Sequence, residues 1–203
     1  MHMPELLKNR YYHADTIRQL ALRLKAVYPS FQTDDFVGDI MDETWDGLAL
    51  KARMRKTTVH LGKYLPTDYA QALAVLDQVV VGYPPGFYDF ALMCFPDFVE
   101  VYGQDACHWD LSIAALERYT PFSTSEFAVR PFIINDEERM MRQMAVWARH
   151  DNAHVRRLAS EGCRPQLPWA GAELLQKRPA AGSGCFGTAE SRPVSVCPKK
   201  RGQ

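Results

Sequence analysis

A chain of 203 residues that is 47% hydrophobic can bury a substantial core, and it is most simply one globular domain or an array of small repeats. It has no run of about 18 uncharged apolar residues, and its N-terminus lacks the apolar segment of a secretion signal. The sequence therefore indicates neither membrane insertion nor export, and a cytoplasmic location is expected. The 24 basic residues balance 24 acidic ones, so the protein is not strongly basic or acidic as a whole.

Helical periodicity extends over nearly all of residues 1–162, in short amphipathic segments separated by capping and turn residues. A break at Gly82–Gly86 precedes the aromatic-rich stretch Phe87–Tyr102, in which Pro96 predicts two short helices or one kinked helix. No segment shows the alternation of a strand. The other predicted helices, in chain order, are Asp15–Tyr28, one that begins at Thr33, Leu48–Leu65, one that Pro66–Asp68 opens, Trp109–Tyr119, Ser123–Ile134, Asp136–His150 and one that begins at Asp151.

Short helices in antiparallel pairs, without a long heptad seam, predict an all-α protein organised as an α-solenoid or a right-angled helical array. A modest repeat signal supports this prediction. Glu126 and Glu161 are 35 residues apart, which is close to one helix-pair repeat. Equivalent positions in adjacent repeats face the same concave surface, so the spacing predicts that the two carboxylates converge there.

The balanced net charge hides an asymmetry along the chain. Residues 1–138 contain 12 basic and 20 acidic residues, whereas residues 139–170 contain six arginines against Asp151 and Glu161. The basic charge is therefore concentrated near the two carboxylates, where a polyanion could dock. A solvated helix face is the alternative interpretation of the same charges.

Each glutamate also has a structural interpretation. Glu161 ends an amphipathic helix just before Gly162, where the helix dipole disfavours an anion by roughly 0.3 to 1 kcal/mol, which favours a functional role. Its structural interpretation is an exposed, well-solvated glutamate that feels little of this cost. Ser123 and Glu126 have the spacing of a capping box, in which they would satisfy free amides at a helix start. Trp147 is expected to be a core residue.

The cysteines and histidines do not predict a metal site. Five cysteines without a CxxC pair argue against a disulfide framework and against structural zinc, so reduced thiols are expected. His150 and His154 can share one helix face, but they are not part of an HExxH motif. The sequence predicts that the protein binds neither a metal nor a cofactor.

Residues from about Leu48 to Ala170 resemble the bacterial DNA alkylation repair proteins built from HEAT-like repeats, specifically the AlkC type of 3-methyladenine DNA glycosylase. Three motifs carry the resemblance in the family's order: SEFAVRPF, HVRRLASEG and RPQLPWA. The segments LALKARMR and YLPTDYAQALAVL also look like the family's N-terminal repeats. The resemblance implies a HEAT-like, armadillo-type α-solenoid.

The resemblance also implies a reaction, the hydrolysis of the N-glycosidic bond of cationic N3-alkylated bases in DNA, such as 3-methyladenine and possibly 3-methylcytosine. A cationic base is already a good leaving group, so carboxylates are needed to stabilise an oxocarbenium-like sugar and to orient water. Glu126 and Glu161 stand at the family's motif carboxylates, and Trp169 corresponds to an aromatic residue beside the lesion. The candidates for phosphate contacts are Arg130, Arg156, Arg157 and Arg164.

The resemblance stops at Ala170. Residues 171–203 are rich in Gly, Pro and Ser and have no hydrophobic period, so the sequence predicts a helical-repeat domain over 1–170 and a disordered tail, of the kind that a truncated or frameshifted gene produces. The expected partner is duplex DNA with alkylated bases, bound by a monomer. The alternative is a non-catalytic helical-repeat scaffold or an inactive remnant.

Overall fold

Helices are the regular elements throughout the part of the chain that the computed structural model describes, which comprises residues 3–164, with side chains from residue 7 onward. Three short 3₁₀ turns, Trp45–Gly47, Phe90–Met93 and Ala106–His108, connect them. The all-α prediction is confirmed. The α-helices are α1 (Met3–Tyr11), α2 (Ala14–Val27), α3 (Thr33–Ile40), α4 (Leu50–Tyr64), α5 (Tyr69–Val81), α6 (Cys94–Tyr102), α7 (Trp109–Tyr119), α8 (Arg130–Asn135), α9 (Glu137–Trp147) and α10 (Ala153–Glu161).

The helices share one core. Helix α4 lies against α6, α5 lies against α2 and α7, and α6 also contacts α7. The chain then continues through α8, α9 and α10, each of which packs on the next. This arrangement is the layered one expected of a helical-repeat array, and the compact unit that contains it ends at Cys163. None of the described helices is both long enough and apolar enough to cross a bilayer.

Local sequence signals set several helix boundaries as predicted. The N-cap side chains of Asp68 and Asp136 accept hydrogen bonds from backbone amides at 3.0 Å and so begin α5 and α9. Gly86 adopts a left-handed conformation, with φ of 79°, in the predicted break. Pro96 lies in the first turn of α6, where its missing amide costs no helical hydrogen bond, so Phe87–Tyr102 holds a short 3₁₀ turn followed by a helix.

The predicted helix Ser123–Ile134 is wrong over its first half. Residues 123–129 form an irregular turn, and α8 begins only at Arg130. The physical reason is Pro131, which is tolerated in the first turn of a helix but would remove a hydrogen bond and clash with the backbone in the interior of a longer one. The turn therefore replaces a helix that the hydrophobic pattern alone favours.

The capping box at the start of that helix is also absent. The Glu126 amide donates to Oγ1 of Thr124 at 3.3 Å. Ser123 is 1% exposed, and its hydroxyl has no hydrogen-bond partner among the described residues. Ser123 and Glu126 therefore do not cap each other, and the capping interpretation of Glu126 is wrong.

The 35-residue repeat does not hold in the helix register. Glu126 lies in the turn before α8, whereas Glu161 is the last residue of α10. A shift of α7 by 35 residues falls on the end of α9, the following loop and the start of α10. The two glutamates thus do not occupy equivalent positions of successive hairpins, and any convergence must come from how α10 packs on the turn.

Candidate functional site

A shallow cleft lies between the turn that contains Glu126 and one face of α10. It encloses about 180 Å³ of space, a volume that includes open solvent. Polar side chains from three parts of the chain form its walls. They are Tyr88, Thr120, Ser123, Thr124, Ser125, Glu126, His154 and Arg157, with Leu158 as the apolar member.

Glu126 and Arg157 form an ion pair across this cleft. Nη2 of Arg157 lies 2.8 Å from Oε1 of Glu126, and the glutamate side chain is only 14% exposed, whereas that of the arginine is 55% exposed. A carboxylate that is largely removed from water but still lines a cleft is a suitable group to face a cation. The sequence singled out both residues, but only the fold joins them.

A hydroxyl network holds the backbone just before Glu126. Oγ of Ser125 and Oγ1 of Thr120 lie 2.8 Å apart, and the Thr120 hydroxyl donates to the carbonyl of Leu116 at 2.6 Å. Ser125 then donates its proton to Thr120, and its oxygen lies 3.3 Å from the same carbonyl. Both hydroxyl residues are buried, so they fix the turn on the last turn of α7 and restrict where Glu126 can point.

Glu161 is half-buried at the end of α10. It follows Arg157 by four residues, so the two side chains share one face of the helix. Gly162 comes next and packs on the turn after Glu126, because a β-carbon there would lie 2.9 Å from Cγ2 of Val129. The structure thus brings the helix end that carries Glu161 onto the turn that carries Glu126.

Arg130 differs from the other candidate arginines. It is 6% exposed at the start of α8, and its burial lowers the pKa of the guanidinium, against the opposing influence of Cys163. Burial raises the pKa of the Cys163 thiol, and Arg130 opposes that shift. This placement disfavours direct contact with a phosphate and suits a residue that joins the end of α10 to α8.

The remaining candidates are spread over different surroundings. Arg156 is exposed and donates to the backbone carbonyls of His150 at 2.8 Å and Asp151 at 2.6 Å, so it braces the loop between α9 and α10. Arg164 is exposed and begins a separate unit of the chain. Trp169 lies outside the described residues, as does the predicted domain boundary at residue 170.

The sequence did not predict that two aromatic residues, Tyr88 and His154, lie at the cleft. Their rings stack with centroids 4.9 Å apart and an interplanar angle of 18°. Tyr88 lies in the loop between α5 and α6, 66 residues before His154, and no spacing rule connects the two. The contact between this aromatic ring and the basic face of α10 is visible only in the folded protein, so no signal in the sequence could have revealed it.

The histidines and tryptophan of the same region serve different purposes. Trp147 is fully buried, as predicted, and its indole donates to Glu117 at 2.6 Å. Nε2 of His150 lies 3.6 Å from Oε1 of Glu117. Another group of potential metal ligands, Asp105, Cys107 and His108, has its ligand atoms within 4.8 Å of one another, so the expectation of no metal stays a prediction.

Comparisons with known proteins agree with this architecture. No model of a known protein family matches the chain. It is 46% identical over 158 residues to the "Uncharacterized protein YhaZ" of Bacillus subtilis (strain 168), which covers 78% of this chain and 43% of that protein. Among solved structures, it is similar to the Pseudomonas fluorescens alkylpurine DNA glycosylase AlkC bound to DNA containing an abasic site analog. That match has a TM-score of 0.73 and 35% identity, and covers 81% of this chain and 44% of the other.

The chain therefore spans less than half the length of both proteins. Over the shared part, the chain is similar in sequence and in fold to the AlkC alkylpurine DNA glycosylase of Pseudomonas fluorescens.

Proposed function

We propose that the protein takes part in DNA repair as a glycosylase that hydrolyses the N-glycosidic bond of cationic N3-alkylated bases, 3-methyladenine first among them. The observation that carries the proposal is Glu126, a carboxylate that is 14% exposed in a cleft and paired with the exposed Arg157. The 35% identity to an alkylpurine DNA glycosylase bound to abasic DNA supports the same class of reaction.

The chemistry suits a shallow site. A base that already carries a positive charge leaves readily, so the barrier is dominated by the positive charge that develops on the sugar. Glu126 is proposed to stabilise that charge and Glu161 to orient the attacking water, in the manner of paired carboxylates at glycosidic bonds. Because the cleft is partly open to solvent, it suits a lesion approached on the DNA surface better than a fully enclosed nucleotide.

DNA is proposed to bind through its backbone on the side of α10. Arg156 and Arg157 are exposed neighbours on that helix, and Arg164 follows it. Arginine engages phosphate oxygens without reading the base sequence, as expected for an enzyme that meets lesions in any context. Trp169 completes the proposal as an aromatic residue that stacks on the cationic base. Action as a cytoplasmic monomer without a cofactor remains part of the proposal.

The test is release of methylated bases from alkylated duplex DNA by the purified, folded chain. Wild type is expected to release 3-methyladenine above the rate without protein, and Glu126→Gln and Glu161→Gln are expected to lose that release. Glu138→Gln is the control, because Glu138 is 85% exposed on α9 and pairs with Arg142 outside the cleft. Measuring the release of 3-methylcytosine in the same assay shows which alkylated bases the protein accepts.

Two results would contradict the proposal. If folded wild type releases no base but binds duplex DNA, the chain acts as a non-catalytic scaffold. If both glutamine variants keep full activity, the carboxylates are not the catalytic groups. Urea unfolding of each variant separates a loss of chemistry from a loss of fold.

A further inference from the structure

Tyr88 is held rigidly at the wall of the Glu126 cleft. One face of its ring stacks on His154, and its ring meets that of Phe90 edge to face, with centroids 5.8 Å apart and an interplanar angle of 81°. Phe90 in turn meets Tyr11 of α1 edge to face at 5.3 Å. An aromatic side chain clamped on two sides keeps its hydroxyl at one place.

Tyr88 senses both members of the ion pair. Burial raises its pKa, Arg157 lowers it through charge and a hydrogen bond, and Glu126 raises it. The net pKa lies above the ordinary value of 10.0, so the phenol keeps its proton at neutral pH and remains a hydrogen-bond donor. Tyr88, Glu126 and Arg157 also line the same cleft, so their side chains border one space.

In the free protein, Arg157 reduces the effective negative charge of Glu126. A guanidinium 2.8 Å from the carboxylate offsets much of the negative charge that a cationic sugar would need. Arg157 is 55% exposed. A DNA phosphate, which is negatively charged like Glu126, can therefore compete with Glu126 for the guanidinium. If Arg157 turns to the phosphate, Glu126 regains its charge but loses the group that holds it in place.

We propose that Tyr88 is the positioning residue that keeps Glu126 directed into the cleft when Arg157 moves to a DNA phosphate. A neutral phenol suits this task, because it donates a hydrogen bond to a carboxylate without cancelling its charge. Glu126 is thus covered by Arg157 in the free protein and exposed to the lesion when DNA binds. The inference rests on the proposed function, since it assigns Glu126 a role in stabilising a cationic sugar.

The first test separates binding from chemistry. Tyr88→Phe keeps the ring stacked on His154 and removes only the hydroxyl. Its single-turnover rate of 3-methyladenine release is expected to fall about tenfold or more, the usual scale for one hydrogen bond to a charged group, while its affinity for the DNA stays within about twofold of wild type. Tyr83→Phe is the control, because Tyr83 is also half-buried and stacks on Phe87 outside this cleft.

The second test needs no turnover. Duplexes that contain a positively charged pyrrolidine abasic analogue or a neutral tetrahydrofuran one are compared by fluorescence anisotropy. Wild type is expected to prefer the charged analogue, Tyr88→Phe to lose most of that preference, and Arg157→Ala to lose affinity for both duplexes alike. A preference that persists unchanged in Tyr88→Phe overturns the inference and leaves the proposed function intact. Absence of the preference in wild type overturns the proposed function, and the inference with it.

Discussion

Arg157 reaches from α10 to Glu126 in the turn before α8, with 2.8 Å between the guanidinium nitrogen and the carboxylate oxygen. The contact ties the two motif segments of the chain together at the cleft. It also gives the arginine two possible partners, the glutamate in the free protein and a phosphate in the complex with DNA. An exchange between these partners would change the DNA affinity and its salt dependence.

Arg157→Ala is expected to weaken DNA binding at low salt and to reduce the slope of log K against log salt concentration by about 1, because one phosphate contact and its counterion release are lost. Fluorescence anisotropy over a series of salt concentrations measures the slope. Arg18→Ala is a matched control, since Arg18 is 56% exposed and also forms an ion pair, with Asp34. Both residues lie in the N-terminal half of the chain, whereas Arg157 lies in α10. A slope equal to that of wild type would show that Arg157 stays on Glu126 in the complex.

Gly162→Ala is expected to lower the free energy of unfolding by about 1–3 kcal/mol, because the new β-carbon would overlap buried neighbours. It would lie 2.8 Å from the carbonyl oxygen of Leu158 and 2.9 Å from Cγ2 of Val129. Gly38→Ala is the control, since nothing lies within 4 Å of the new atom on α3, and a gain of about 0.5–1 kcal/mol is expected there. Urea unfolding midpoints show whether each variant loses or gains stability. Equal changes in the two variants would contradict the packing of α10 on the turn.

Asp97 predicts a pH dependence of stability. It is 2% exposed, and burial raises its pKa from 3.8 to about 6, despite the Arg55 guanidinium 2.9 Å away. Because the pKa is higher in the folded state, the favourable contribution is complete below pH 3.8 and is lost as the pH rises through 6. As the pH rises from 5 to 8, the titration of Asp97 should lower the free energy of unfolding by about 1 kcal/mol.

Urea unfolding of wild type and Asp97→Asn at pH 5 and pH 8 tests this. The asparagine variant cannot titrate, so its change in stability over that range should be smaller than that of wild type by about 1 kcal/mol. The comparison between the two proteins removes the contribution of all other titrating groups. Identical pH dependences would show that Asp97 stays ionised in the folded protein over the whole range.

Ser123→Ala is expected to leave stability unchanged or to raise it slightly. The buried hydroxyl has no hydrogen-bond partner among residues 3–164, so its removal relieves a desolvation cost. A capping serine would instead lose about 1 kcal/mol on the same substitution. Asp136→Ala is the positive control, because Asp136 does cap α9 by accepting from the Arg139 amide. A loss in Ser123→Ala as large as that in the control would restore the capping interpretation.

The amino-acid sequence determined the helices wherever local signals agree with one another. The amphipathic periods and the capping residues Asp68 and Asp136 predicted α5, α7 and α9 closely, since these features act within a few residues. The motifs around Glu126 and Glu161 also identified the kind of protein before any contact was known. Where two local signals disagreed, as at Pro131, the hydrophobic pattern gave a helix that the backbone of proline does not allow.

The site itself was decided by tertiary structure. The spacing of 35 residues predicts a repeat, but the helix register does not follow it. The end of α10 is brought to the turn of Glu126 by the packing of Gly162 on Val129 and by the ion pair of Arg157 with Glu126. The pairing of Tyr88 with His154 and the burial of Arg130 likewise depend on neighbours that are distant in sequence. Such contacts arise from the summed packing of many helices, and no local pattern encodes them.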